Sequence, residues 1–84
     1  MRNRRDQAQL TALGRAIRHL RRERNLSRRT VAEEAGISRL RLWLTEAGLH
    51  NIQFDRLYAL GEALEVGPAA LLAEAIRLEG GEDT

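Results

Sequence analysis

The 84-residue chain contains no cysteine. That excludes a disulfide framework and any zinc or iron–sulfur centre built on thiolates. A single proline and one each of Phe, Tyr and Trp argue against a β-sandwich, which needs many strands and an aromatic-rich interior. No apolar run approaches the ~20 residues needed to cross a bilayer. Met1 is followed by a basic stretch without an apolar h-region, so no secretory signal is expected and a cytoplasmic location is the default. Lysine is absent too: all 14 basic residues are arginine. Glycines 14, 36 and 48 stand too far apart for a phosphate-binding loop. Histidines 19 and 50 are isolated, so no metal site and no cofactor is expected. Ser27 and Ser38 have no His–acid partner spaced to activate them, which argues against nucleophilic catalysis and against an enzyme.

What is present is helix-forming. Leu, Ala, Arg and Glu dominate, and these are strong helix formers. Charge is divided unevenly along the chain. Residues 1–42 carry 12 Arg against four acids, a net of +8, whereas residues 43–84 carry two Arg against eight acids, a net of −6. Such a split points to an anionic partner for the first half, and nucleic acid is the usual one.

Hydrophobic periodicity places five helices. Residues 1–6 read as a flexible basic arm. Leu10, Leu13, Ile17 and Leu20 recur on one face of a first helix spanning about 7–24, with Arg15, Arg18 and Arg22 opposite. Asn25 ends it, since Asn tolerates the left-handed conformation. Ser27 caps a short second helix over 28–35, with Val31, Ala32 and Ala35 inward and Gly36 closing it. Ile37 plugs the turn. Ser38 caps a third helix over 39–47, ended by Gly48. Phe54, Leu57, Tyr58, Gly61 and Leu64 form the inward face of a fourth, on which Asp55 and Glu62 are solvated. Pro68 at N1 opens a fifth, carrying Leu71, Leu72, Ala75 and Ile76. The expected organisation is one all-α, compact five-helix bundle over 7–79 and a disordered acidic tail over 80–84.

Two short helices joined by a Gly-containing turn form a helix-turn-helix. At these residues the chain resembles the lambda-repressor/Cro, or Xre, family of DNA-binding regulators. The shared text is Leu13-Gly14, Ile17-Arg18-x-Leu20-Arg21, Leu26-Ser27, Val31-Ala32-x-x-Ala35-Gly36-Ile37-Ser38 and Glu46-Ala47-Gly48. It continues with Phe54-Asp55-x-Leu57-x-x-Leu60 and Ala63-Leu64-x-Val66. The resemblance spans residues 10–76. It implies a homodimer that binds double-stranded DNA, the third helix in the major groove and the second across the backbone. Arg39, Leu40, Trp43 and Leu44 fall on base-facing positions; Ser27, Arg28, Ser38 and Arg41 fall on backbone-facing ones. Where the family has a phosphate-contacting Gln, this chain has Arg28. A structural ion pair between Arg21 and Glu46 is implied, locking the third helix to the first. Arg2, Arg4 and Arg5 are candidates for a minor-groove arm. Leu71, Leu72, Ala75 and Ile76, together with the loop before the fourth helix, are candidates for the dimer face. Small regulators of this build include antitoxin-type repressors.

The third helix departs from the pattern. Leu40, Trp43, Leu44 and Ala47 form an apolar stripe, and only Arg39 among the base-facing positions can pair bidentately with guanine. Position 45, normally a large aliphatic, is Thr45. Three orientations are open. The stripe faces DNA and meets thymine methyls, with Arg28, Arg39 and Arg41 supplying charge. Or the helix is rolled half a turn and the stripe is core. Or the stripe binds a protein partner, such as a toxin, which makes the domain an interaction module with little base reading.

Overall fold

The computed structural model describes residues 4–80, with side chains from Asp6 onward. Its five helices are α1 (Arg4–Glu23), α2 (Arg28–Ala35), α3 (Arg39–Glu46), α4 (Phe54–Ala63) and α5 (Pro68–Glu79). No strand occurs among the described residues. Nor is any described helix long and apolar enough to cross a membrane. Helix α1 packs on α5 and α3, α2 packs on α3 and α4, and α4 packs on α5. Ala16, Ile17, Val31, Ala32, Leu42, Leu60, Leu64 and Leu71 close the core between them.

The local signals act where the sequence places them. Ser27 Oγ accepts from Thr30 N–H at 3.0 Å and Ser38 Oγ from Arg41 N–H at 3.0 Å, so each hydroxyl satisfies one orphan donor at a helix start. Gly36 closes α2 at φ +73°, a conformation costly to any residue with a Cβ. Asn25 takes φ +57° after α1. Thr45, in place of the expected aliphatic, is buried because its Oγ1 donates to the Arg41 carbonyl at 2.8 Å, which leaves its methyl to pack inward.

Three expectations are corrected. Helix α1 begins at Arg4, so Arg4 and Arg5 belong to its first turn and not to a basic arm; Asp6 lies in the same turn, where a carboxylate favours the helix dipole. Arg2 lies outside the described residues. On α4, Phe54 and Tyr58 point outward, 76% and 51% exposed. The inward face is instead Leu57, Leu60, Gly61 and Leu64, which also obey helical spacing. The two aromatic rings meet each other at 6.3 Å between centroids. On α5, Leu71 is fully buried in the chain's own core, so it is not available as a dimer face; Ala75 is nearly buried and lines a groove beside Leu72 and Ile76, which remain exposed. Gly80 caps α5, and the rest of the expected tail, 81–84, falls outside the described residues.

Helix α1 crosses α3 at Gly14 with no room for a side chain. A Cβ there would lie 2.5 Å from the carbonyl oxygens of both Thr45 and Glu46. Backbone, unlike a flexible side chain, cannot swing aside. Gly14→Ala should therefore push α1 off α3 and cost about 1–3 kcal/mol, the usual range for overpacking. Thermal unfolding followed by circular dichroism reads this as a lower melting temperature; an unchanged one would contradict the close crossing.

Candidate nucleic-acid interface

The orientation of α3 is set by what lies behind it. Leu42 is fully buried and Thr45 nearly so. Glu46, at the last turn, is buried as an anion between two guanidinium groups. Arg21 of α1 donates from Nε to Oε2 at 2.8 Å and from Nη2 to Oε1 at 3.3 Å. Arg28 of α2 donates from Nε to Oε1 at 3.0 Å. Arg21 also donates from Nη1 to the Leu26 carbonyl at 3.0 Å, which ties in the turn between α1 and α2. Among the described residues no buried side-chain polar atom lacks a partner. The Arg21–Glu46 pair is thus present and more buried than its resemblance-based placement required. The participation of Arg28 was missed: that residue is not held ready for phosphate alone but is shared with Glu46.

With this back face fixed, the opposite side of α3 turns to solvent. Leu40 is 66% and Trp43 47% exposed; Arg39, Arg41 and Ala47 are exposed and Leu44 is half-buried. The rolled orientation, with the stripe in the core, is excluded. At 100° per residue, Arg39, Leu40, Trp43, Leu44 and Ala47 share the outward arc, and on it Arg39 and the Trp43 indole N–H are the only hydrogen-bonding groups. A concavity of about 200 Å³ beside the indole is bounded by Trp43, Arg18, Arg28, Glu46 and Ala47. Neither Arg39 nor Arg41 is paired with a carboxylate among the described residues.

A second basic region was not foreseen. Arg56, at the start of α4, donates from Nη1 to the Gly36 carbonyl at 2.8 Å, which pins α4 to the turn between α2 and α3. It joins Arg41, His50, Asn51 and Gln53 around an open concavity of about 250 Å³ at the edge of α3. A signal was available: Arg56 is one of only two arginines in the acidic second half of the chain. The expected caps Ser27 and Ser38 lie at the starts of α2 and α3, and their hydroxyls are engaged by backbone amides. On α1, Arg18 and Arg22 extend the basic surface away from Trp43. No group of three potential metal ligands occurs among the described residues.

Comparison with known proteins converges on the same frame. The model of a helix-turn-helix domain family matches residues 12–75. A crystal structure of the clp gene regulator ClgR from Corynebacterium glutamicum superposes with a TM-score of 0.83 at 27% identity, covering 89% of this chain and 80% of that one. The restriction-modification controller protein C.AhdI from Aeromonas hydrophila gives 0.71 at 31% identity, covering 74% of this chain and 94% of that one. No curated protein sequence matches.

Because Glu46 is buried against Arg21, removing the carboxylate leaves a buried cation without a counter-ion. Glu46→Ala should cost about 3–5 kcal/mol. Arg28→Ala, whose side chain meets water, should cost under about 1 kcal/mol. Urea unfolding separates the two; equal losses would mean that Arg28, not Arg21, holds the carboxylate.

Proposed function

The chain belongs to the helix-turn-helix domain family, and from that premise we propose that it is a sequence-specific, DNA-binding transcriptional regulator that acts as a homodimer, with α3 in the major groove. Its fold is that of helix-turn-helix DNA-binding regulators. The single observation that carries the finer reading is the roll of α3: Leu42, Thr45 and Glu46 turn in, so Arg39, Leu40 and Trp43 turn out between Arg28 and Arg41. Arg39 has the geometry to read a guanine edge bidentately. Arg28, Arg41 and Arg56 would contact phosphates, and Ser27 and Ser38 cap the starts of α2 and α3. Regulation is by occupancy in the cytoplasm, as a repressor of the type that includes antitoxins.

A dimer places two copies of α3 about one DNA turn, ~34 Å, apart. Support for it lies on α4 and α5. Leu72 and Ile76 flank an apolar groove of about 290 Å³ with Leu10, Leu13, Ile52 and Leu57. Phe54 and Tyr58 expose their rings beside Leu57 on α4. A lone domain of this size buries only about 60–65% of its unfolded surface, so covering that groove with a second copy adds stability where the monomer is short of it.

The test is a salt titration of duplex binding by fluorescence anisotropy with the full chain. Log affinity should fall linearly with log salt, with a slope of about −0.9 per phosphate neutralised, and two chains should bind each duplex. Arg41→Ala should weaken all duplexes similarly and flatten the slope, while Arg39→Ala should change which duplex is preferred. Salt-insensitive or absent binding would instead favour a protein-interaction module centred on Leu40, Trp43 and Leu44.

A further inference from the structure

We infer that α3 selects its site by the C5-methyl groups of thymine. The inference rests on the DNA-binding reading above and gives it a ligand chemistry. On the outward arc of α3, Leu40, Trp43, Leu44 and Ala47 offer no donor except the indole N–H, and none offers an acceptor. Amide and carboxylate side chains, which read adenine and cytosine in the major groove, are missing from this arc altogether. An apolar surface pressed on base edges that it cannot hydrogen-bond leaves their polar atoms dehydrated and unpaired, at a cost. One feature of the major groove escapes that cost, the methyl group of thymine. Leu40 and Trp43 are the exposed apolar side chains on this arc that would meet it.

The occupant is set by charge. Arg18 and Arg28 bound the concavity beside the indole, and Arg39 and Arg41 are exposed at the first turn of α3. An apolar strip bordered by four guanidinium groups suits a polyanion with an apolar feature between its phosphates. An apolar protein groove would desolvate Arg18, Arg39 and Arg41, none of which has a carboxylate partner among the described residues, while Arg28 alone keeps Glu46.

The spacing is also specified. A helix rises 1.5 Å per residue, so positions four apart, such as Arg39 and Trp43 or Leu40 and Leu44, are separated by about 6 Å. With α3 lying along the groove, that is about two base steps. The preferred half-site therefore holds a guanine, read by Arg39, with thymines within about two or three steps of it.

The experiment is a selection from a random-core duplex pool with the full chain, followed by resynthesis of the selected duplex with deoxyuridine in place of thymidine, one position at a time. Deoxyuridine keeps every hydrogen-bonding group and loses only the methyl. Each contacted thymine should then show about a fourfold loss of affinity, the value of burying one methyl-sized group. Leu40→Ala and Trp43→Ala should reduce that thymidine-to-deoxyuridine ratio toward one, whereas Arg39→Ala should lower affinity and leave the ratio intact. Both replaced apolar side chains are exposed, and circular dichroism verifies that the variants fold; should either not, the wild-type comparison decides alone. A selected duplex that binds equally well with deoxyuridine throughout overturns thymine reading while leaving DNA binding in place. A pool from which no duplex is retained overturns the regulator reading itself.

Discussion

One carboxylate determines what this protein can present to a partner. Glu46 sits at the end of α3, buried, with Arg21 behind it and Arg28 beside it. Three donors from two helices converge on its two oxygens, so the last turn of α3 cannot rotate without breaking charge-assisted hydrogen bonds, two of them to the buried Arg21. A buried ion pair of this kind adds little net stability compared with well-packed apolar groups, but it penalises every arrangement in which one member is left alone. Its consequence is orientation. Gly14 acts with it, since the bare backbone of α1 lets α3 approach until carbonyl oxygens fill the space a methyl would need.

From that fixed roll the outer face follows. Once Leu42 and Thr45 point into the core, geometry alone sends Leu40 and Trp43 to solvent. A monomer gains nothing from exposing a tryptophan and a leucine on a short helix, and such a patch is a liability for solubility. Its retention next to Arg39 and Arg41 is intelligible when the face meets a polyanion. The two ends of the helix-turn-helix are braced separately, by Ser27 and Ser38 at the helix starts and by Arg56 on the Gly36 carbonyl. The unit is therefore held at its starts, at its turn and at its far end, and the outward side of α3 is left clear.

Much of this was legible in the residues, and the parts that were not have physical reasons. Capping residues act locally, so Ser27, Ser38, Gly36 and Asn25 could be placed without knowing the fold. The helix-turn-helix register followed from Gly36-Ile37-Ser38 and Glu46-Ala47-Gly48, which bracket α3. Periodicity alone failed on α4 because the two overlapping stripes share Leu57, Gly61 and Leu64; whether Leu60 or the pair Phe54 and Tyr58 completes the inward face depends on how α2 and α5 pack on α4, a tertiary feature. It failed on α5 for a related reason. A stripe of apolar residues marks a face, but whether its neighbour is the same chain or another depends on where α1 lies, and there Leu71 and Ala75 are covered while Leu72 and Ile76 are not. The sharing of Arg28 with Glu46 could not be read either, since it depends on the angle between α2 and α3. The start of α1 moved because Arg4 and Arg5 are good helix formers, and arginine-rich text does not distinguish an arm from a first turn.

Trp43 is the only tryptophan, so its fluorescence reports directly on the face of α3. Collisional quenching by acrylamide should be efficient in the free protein and strongly reduced by saturating duplex DNA, because the indole is open to water alone and covered in the groove. An indole already shielded in the free protein, or one quenched equally with and without bound DNA, would contradict the outward, DNA-facing roll of α3.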